Sequence, residues 1–408
     1  MAEQPHVFSI QTWDTENVYI RTDKFAERGR LISVNFKSEK PRVRQVIPEF
    51  EEKLGQVIKL SHDCLLAFYF GETRRIVRIF HADGQLKNQV GLPVGADIVN
   101  ICLYSANKVR LLLSGYTLPP SIYELDIRSS RVKLIKRSKV RGSLSGYTTE
   151  KLYARSQDGT VVPFYMSYKK PLSRNGNNPV IATGYSAFSF YTRPHFNCEM
   201  VAWMDMGGVF VSTVLRGGSD YGKAWRQAGI SKFKQNSFDD FAAVLRYLID
   251  SKITRPERLG IRGSSAGGLL AAVTVTQNPE LIAAAFVSAG FTDMLRYQKF
   301  GVAVHYATEY LTANNRSGFK TLIAYSPLHN LTERSYPAVL CITGTEDDRV
   351  AAMHSFKFVA ALQAKQRGSN PILLRALKGA GHQFYDDLLS LKFFAHHLGV
   401  LVTSSSAV

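Results

Sequence analysis

Along the first 140 residues the apolar positions fall in short runs rich in β-branched and aromatic side chains. The runs cover residues 7–13, 17–23, 29–36, 64–70, 75–82, 98–105, 109–117 and 121–127. Turn-forming residues separate them, as in His81-Ala82-Asp83-Gly84 and Leu118-Pro119-Pro120. No long helical pattern interrupts the series, so it predicts an all-β sandwich, barrel or propeller. From about residue 150 the rhythm changes. Buried strands are expected at 179–185 and 208–215, further strands at 259–263, 283–290, 337–344 and 372–379, and helices at 238–252, 265–277, 351–366 and 386–399. In the first of these helices Phe241, Val244, Leu245 and Leu248 recur at i, i+3, i+4 and i+7. Strand–helix alternation predicts a doubly wound, mostly parallel sheet covered on both faces. The reading is an all-β region over residues 1–139 and an α/β domain over 140–408, joined near 138–150.

Composition fits two such domains. The chain has 408 residues, of which 45% are apolar and 21% charged, enough to bury large cores without disulfide or metal staples. Cys64, Cys102, Cys198 and Cys341 form no Cys-x-x-Cys pair, so no zinc or redox motif is expected. Cys64, Cys102 and Cys341 lie in apolar runs and read as buried thiols, which points to a reducing compartment and a cytoplasmic location. The opening residues carry no charged-then-apolar stretch, so no signal peptide is expected, and no segment approaches the length of a membrane span. The net charge is +18. It is spread along the chain, with +7 over residues 1–139 and +11 over the rest. The one acid-free basic run, Arg128 to Arg141, has no RNA-binding aromatic motif or helix-turn-helix pattern beside it. A solvated surface is expected there, not a nucleic-acid site.

The sharpest chemical signal is Gly263-Ser264-Ser265-Ala266-Gly267, which follows a strand and opens a helix. A nucleophile elbow needs this context. A tight strand-to-helix turn exposes Ser265 Oγ, glycine two residues to either side avoids collision, and the Ala266 N–H faces a developing oxyanion. A serine nucleophile needs a base, and the base an orienting carboxylate. In α/β-hydrolases these follow in the order Ser, acid, His. Thr343 to Val350, with Glu346, Asp347 and Asp348, directly follows the strand at 337–344, and Gly379-Ala380-Gly381-His382 directly follows the last strand. The other histidines lie in the β region, precede the acid loop or sit on helices.

These residues resemble the prolyl oligopeptidase family of serine peptidases (S9 type). The likeness runs through Gly184 to Phe188, Arg216-Gly217-Gly218, Phe238-Asp239-Asp240-Phe241, Gly263 to Leu270, Asp293 to Arg296, Tyr325 to Asn330, Asp347 to Val350 and Gly379 to His382. The resemblance implies a triad of Ser265, Asp347 and His382. It implies Tyr185 as a second oxyanion donor beside Ala266, and Arg349 as the binder of a substrate carbonyl. Phe188, Tyr306, Tyr310 and Val350 fall where the family lines its proline pocket. Each also has a plainer reading: Tyr185 as an ordinary buried tyrosine, Tyr306 and Tyr310 as core, Arg349 as the partner of Asp348.

Three departures accompany the resemblance. Ala266 stands where the family often has Asn, Tyr306 where it has a proline-stacking tryptophan, and Ser186 and Ala187 where it has two glycines. The family also carries a seven-bladed propeller over its active site. About 140 residues correspond to about three blades, as if the chain began inside the propeller, with Met1 an internal start or an incomplete gene model. The implied function is hydrolysis of short peptides after proline through an acyl-enzyme, with no cofactor or metal and no nucleic-acid or membrane partner. The alternatives are a related peptidase of other specificity, a peptide macrocyclase, an esterase, or an inactive chain acting at most as a binding module.

Overall fold

The computed structural model describes residues 6–37, 40–71, 75–93, 95–140, 144–383 and 387–400. The chain divides into two units. The first holds Met1–Leu144 with Arg193–Asn197 and Asp220–Ala224. The second holds Ser145–Thr192, Cys198–Ser219 and Trp225–Val408.

In the first unit the described residues form three four-stranded antiparallel meanders, each in chain order. The first comprises β1 (Phe8–Trp13), β2 (Asn17–Thr22), β3 (Arg30–Asn35) and β4 (Arg42–Ile47). The second comprises β5 (Lys53–Ser61), β6 (Cys64–Phe70), β7 (Arg75–Phe80) and β8 (Leu86–Val90). The third comprises β9 (Asp97–Ser105), β10 (Lys108–Gly115), β11 (Leu118–Asp126) and β12 (Arg131–Arg137). They are blades of a partial β-propeller. Strand β6 shows how they stack. Its side chains alternate between faces. Leu65, Ala67 and Tyr69 join a core with Tyr19, Leu31 and Ile47 of the first blade. Leu66 and Phe68 join one with Val109, Leu111 and Leu125 of the third. A strand buried on both faces reads as an unbroken apolar run, as this one does.

Strands β4, β5, β8 and β12 were not among the expected runs. Three of them end their blades, and their side chains are mostly exposed, so hydrophobic patterning does not mark them. The basic run falls largely on β12, whose residues face outward; Arg141 lies outside the described residues. Two expectations are corrected. Leu118-Pro119-Pro120 is not a turn: the turn is Tyr116–Thr117 and β11 begins at Leu118. A register shift between Leu113 and Gly115 lets prolines, which cannot donate to a ladder, enter the strand. Cys102 is exposed and Cys64 only half-buried; Cys341 alone of the three is buried. Cys102 lies on the part of β9 that is largely open to solvent.

The second unit is built on eight strands: β13 (Tyr147–Arg155), β14 (Val161–Lys169), β15 (Val180–Thr183), β16 (Val209–Thr213), β17 (Leu259–Ser264), β18 (Ala284–Ser288), β19 (Ala338–Gly344) and β20 (Ile372–Leu377). Their order is β13-β14-β16-β15-β17-β18-β19-β20. The pairs β13/β14 and β14/β16 are antiparallel and the rest parallel. The opening hairpin is an addition to the pattern reading. The helices are α1 (Cys198–Asp205), α2 (Gly222–Gln227), α3 (Gln235–Asp250), α4 (Ala266–Gln277), α5 (Ala307–Tyr310), α6 (Arg316–Tyr325), α7 (Met353–Lys365) and α8 (Asp387–His397). This is the α/β-hydrolase arrangement. Along β17, Leu259 and Ile261 enter the core that holds Val244 and Leu245 of α3 and Leu270 and Val273 of α4. Gly260 faces the other way, where an added Cβ would lie 2.6 Å from Phe394 of α8. Both faces of the sheet are therefore covered at β17, while the edge strand β20 is mostly exposed. Helix α4 is buried from Ala266 to Thr276, as befits a helix running through the centre of a doubly wound fold. Among the described residues no helix is long and apolar enough to cross a membrane.

Two of the sequence stretches are explained by one contact. Arg216, which follows β16, is buried and donates from Nε to Asp240 Oδ2 at 2.9 Å and from Nη2 to Oδ1 at 2.6 Å. Ser237 Oγ returns a bond to the Arg216 carbonyl at 2.7 Å. Asp158, half exposed, also accepts from Arg216 Nη1 and Nη2, so only the loss of both carboxylates would leave the buried guanidinium unmatched, at a cost of about 3–5 kcal/mol. The double variant Asp158→Asn with Asp240→Asn is therefore expected to lower the unfolding free energy of the second unit by about 3 kcal/mol, read as a reduced urea midpoint; an unchanged midpoint would contradict it.

Candidate active site

The elbow is formed as the pattern predicts. Strand β17 ends at Ser264, α4 begins at Ala266, and Ser265 between them has φ 57° and ψ −118°. A non-glycine residue in that region carries strain of order 1–3 kcal/mol and persists only where its surroundings fix it. They do so here. The Ser265 N–H donates to Ser288 O at 2.9 Å, and the Ser265 carbonyl accepts from Leu269 at 3.1 Å. A Cβ on Gly263 would lie 1.9 Å from the Gly267 carbonyl oxygen. That contact is with backbone, so nothing can swing aside.

The acid and the histidine come from the next strands. After β19, Asp347 is buried and its Oδ1 accepts the N–H groups of Arg349 (2.9 Å) and Val350 (2.8 Å). Its Oδ2 lies 2.8 Å from His382 Nδ1. Burial opposes the charge on Asp347, but the bond from His382 and the two N–H groups outweigh it and hold its pKa below the ordinary carboxylate value. The His382 loop is tied to the acid loop by Thr345 N to Leu377 O at 3.0 Å and Glu346 N to Ala380 O at 3.0 Å. Among the described residues no hydrogen bond runs directly between Ser265 and His382. In apo geometry such bonds are often long and tighten when substrate binds.

Tyr185, two residues beyond β15, lies beside Ser265 at the first turn of α4, with its ring against Gly267. Burial raises its pKa, so the hydroxyl stays a donor at neutral pH. Phe188 and Tyr306 stand edge to face with centroids 4.9 Å apart, and both reach the surface. Tyr310 and Val350 are buried. Tyr310 backs Phe188 at 5.9 Å. Arg349 is exposed and makes no ion pair among the described residues, with Asp348 or otherwise. Its charge is felt by both Tyr185 and Tyr306. The structure thus brings Tyr185 to Ser265 and His382 to Asp347, and groups Phe188, Tyr306 and Tyr310 beside them.

The family model described as "Prolyl oligopeptidase family" matches residues 194–403, just over half the chain. The chain belongs to the prolyl oligopeptidase family. The model for that family's N-terminal β-propeller domain matches residues 2–138. A prolyl endopeptidase of Elizabethkingia meningoseptica is 35% identical over 92% of this chain and 53% of its own length. A structure from a study of two prolyl endopeptidases superposes with a TM-score of 0.89 at 33% identity, covering 97% of this chain and 60% of that one. Prolyl oligopeptidase B of Galerina marginata, bound to a hydrolysis and macrocyclization substrate, gives 0.91 at 27% identity, covering 98% and 58%. The chain thus spans about half the length of the relatives it matches.

Within this prolyl oligopeptidase family chain a second Ser, His and Asp also meet. Ser326 Oγ lies 2.8 Å from His329 Nδ1, and His329 Nε2 lies 3.9 Å from Asp293 Oδ1. Ser326 is fully buried, and its Oγ accepts the Met294 N–H and donates to Thr292 O, so it holds a turn and offers no nucleophile. The sequence reading gave no role to three buried groups: Lys234, Glu309 and His354. Glu309 had a local signal, a carboxylate beside two pocket tyrosines. His354 had none. It accepts at Nδ1 from the Thr292 and Asp293 N–H groups at 3.2 and 3.1 Å, and packs on Phe291 at 5.4 Å. Among the described residues no cluster of three metal-ligating side chains occurs.

Burial lowers the His354 pKa from 6.5 to about 4. Between those values the unfolded chain binds the extra proton, so stability falls as pH falls from 6.5 through 4. The loss amounts to about 3 kcal/mol once pH is below the folded value. His354→Gln, which keeps an acceptor and does not titrate, is expected to flatten that part of the stability–pH curve in urea melts at pH 7 and pH 4.5; an unchanged slope would refute the assignment.

Proposed function

We propose that the second unit carries a serine peptidase site that cleaves short peptides on the C-terminal side of proline, with Ser265, Asp347 and His382 as its triad. The observation that carries this reading is the 2.8 Å bond between His382 Nδ1 and a buried Asp347, on the strand ends next to a strained, glycine-flanked Ser265. Asp347 Oδ1 is occupied by two backbone N–H groups, which leaves Oδ2 for the histidine. That fixes Nδ1 as the donor and Nε2 as the base. His382 takes the Ser265 proton as Oγ attacks the scissile carbonyl. The Ala266 N–H and the Tyr185 hydroxyl hold the oxyanion. His382 then protonates the leaving amine, and water resolves the acyl-enzyme by the same steps in reverse. The exposed Phe188 ring and the half-buried Tyr306 ring form an apolar slot suited to a proline ring, backed by Tyr310 and Val350. The unpaired Arg349 guanidinium is placed to bind a substrate carbonyl.

The domain assignment belongs to the same proposal: residues 1–139 as the propeller part and 140–408 as the catalytic domain. A second reading, transfer of the acyl group to a peptide amine, is favoured by relatives named dual function macrocyclase-peptidase in Amanita bisporigera and Galerina marginata. Product mass separates the two, because cyclisation adds no water.

The test is hydrolysis of a blocked Gly-Pro amide reporter. Ser265→Ala is expected to abolish turnover, a loss on the order of 10⁶-fold. Tyr185→Phe should lower kcat by about 10²–10³-fold, the effect of one oxyanion donor. Turnover that survives in Ser265→Ala, or a wild-type protein whose Ser265 never reacts with a phosphonate, would overturn the reading.

A further inference from the structure

The segment that carries Tyr185 and Phe188 lies outside the sheet, and its backbone is bent in an unusual way. Phe188 and Ser189 have φ of 55° and 56°, two successive side-chain-bearing residues in the left-handed region. Such a conformation needs outside support, and two buried charges supply it. Lys234 and Glu309 are each 1% exposed. Lys234 Nζ donates to the Ser186 carbonyl at 2.5 Å and lies 3.2 Å from Glu309 Oε1. Glu309 Oε2 accepts the Phe188 N–H at 3.0 Å and the Arg226 guanidinium at 3.2 Å. On the far side Gly217, with φ 98°, lets the backbone approach so closely that a Cβ there would lie 2.3 Å from the Ser186 oxygen.

A buried ion pair is seldom more stabilising than apolar residues of the same volume. Stability alone therefore gives no reason for a lysine and a glutamate here. Their hydrogen bonds do. Each charge binds the other and also one backbone group of the same three-residue stretch, and charge-assisted bonds of this kind are about twice as strong as neutral ones. We infer that the Lys234–Glu309 pair is a positioning device that pins residues 186–188 from both ends, aiming the Tyr185 hydroxyl at Ser265 while holding the Phe188 ring against Tyr306. Its positioning role toward Tyr185 rests on the proposed oxyanion function of that residue. Neither Lys234 nor Glu309 needs to touch substrate. Lys234 also sits 5.3 Å from the centre of the Tyr310 ring, so the same cation backs the aromatic group behind Phe188.

The experiment uses Glu309→Gln and the double variant Lys234→Met with Glu309→Leu, each with Tyr185 intact and with Tyr185→Phe. The double variant leaves neither member of the pair as an unmatched charge, but it takes these partners from the Ser186 carbonyl, the Phe188 N–H and Arg226, so a lower melting temperature is expected and the readouts are taken at a temperature where the variant is still cooperatively folded. Two readouts are taken. Amide hydrogen exchange over residues 184–190 is expected to speed up at least about tenfold in the double variant, as a locally pinned segment loosens. In the reporter assay kcat is expected to fall on the order of 10²-fold, as displacement by about 1 Å does at an active site. In the Tyr185→Phe background the same change should cost less than about threefold, because contacts that act through one residue are not additive. Unchanged exchange over 184–190 in a folded double variant overturns the inference, whatever the activity. Faster exchange with fully additive losses in kcat overturns the link to Tyr185. If the wild type neither turns over nor reacts with a phosphonate, the triad reading fails, and the exchange result alone decides whether the pair pins the segment.

Discussion

The geometry around Ser265 depends on how closely backbone can approach backbone at the N-terminus of α4. Ser265 is held at φ 57°, and the turn that holds it leaves no room for a Cβ at three neighbouring positions. At Gly263 the obstacle is the Gly267 carbonyl. At Gly267 it is the Gly184 carbonyl, 2.8 Å from where a Cβ would be. At Gly268 it is the Cα of Gly290, at 2.6 Å. The elbow is thereby wedged between the chain that leads into Tyr185 and the chain that leaves β18. Contacts of this kind are stiff, because no rotamer can relieve them. Tyr185 reaches Ser265 because the backbone of its segment is set directly against the first turn of the helix.

The acid–base half is held differently. Parallel strands deliver their C-terminal loops to one end of the sheet, where sites on such folds form. The loops after β19 and β20 are then joined by peptide hydrogen bonds, Thr345 to Leu377 and Glu346 to Ala380. Gly344 allows the two loops to meet, since a Cβ there would lie 2.2 Å from the Ala380 oxygen. Asp347 divides its two oxygens between backbone and imidazole, so its orientation is set before the histidine is considered. One half of the site is fixed by steric contact and the other by hydrogen bonds, and neither draws on the other for its geometry.

The two halves differed in how far they could be read from sequence. The proposed triad of Ser265, Asp347 and His382 could be picked out because each follows a strand that the sequence pattern marks and the three come in a recognised order. The middle strand β6 was legible for a related reason, being apolar on both faces. Strands β4, β8 and β12 were not, because a largely exposed strand has no hydrophobic pattern to show. Cys102 was misread since an apolar run says nothing of whether its strand is covered. Pro119 and Pro120 were misread as a turn because a register shift, invisible in sequence, accommodates them. The Lys234–Glu309 pair was hidden for a further reason. Its partners are backbone groups, and Lys234 is 48 residues from Ser186 while Glu309 is 121 from Phe188. Backbone acceptors carry no residue identity, so no motif records such a contact.

The buried charges share a logic that a purely apolar core would not provide. Strand residues satisfy their peptide groups within the sheet, whereas the loops that carry function do not, and a buried peptide group without a partner is costly. Arg216 and Asp240 meet this need beside β16, His354 beside residues 292–293, and Lys234 and Glu309 beside 186–188. In each case a side chain that is expensive to bury donates to, or accepts from, a loop backbone as well as any charged partner. Aromatic packing alone could fill the same volumes, as Phe291 does between Tyr306, Tyr310 and His354, but dispersion is weakly directional and would let a loop slide. Hydrogen bonds from fixed charges set direction as well as distance. The proposed site, which calls for a tyrosine hydroxyl, a helix N-terminus and a strained serine at one point, requires that directionality where the sheet itself ends.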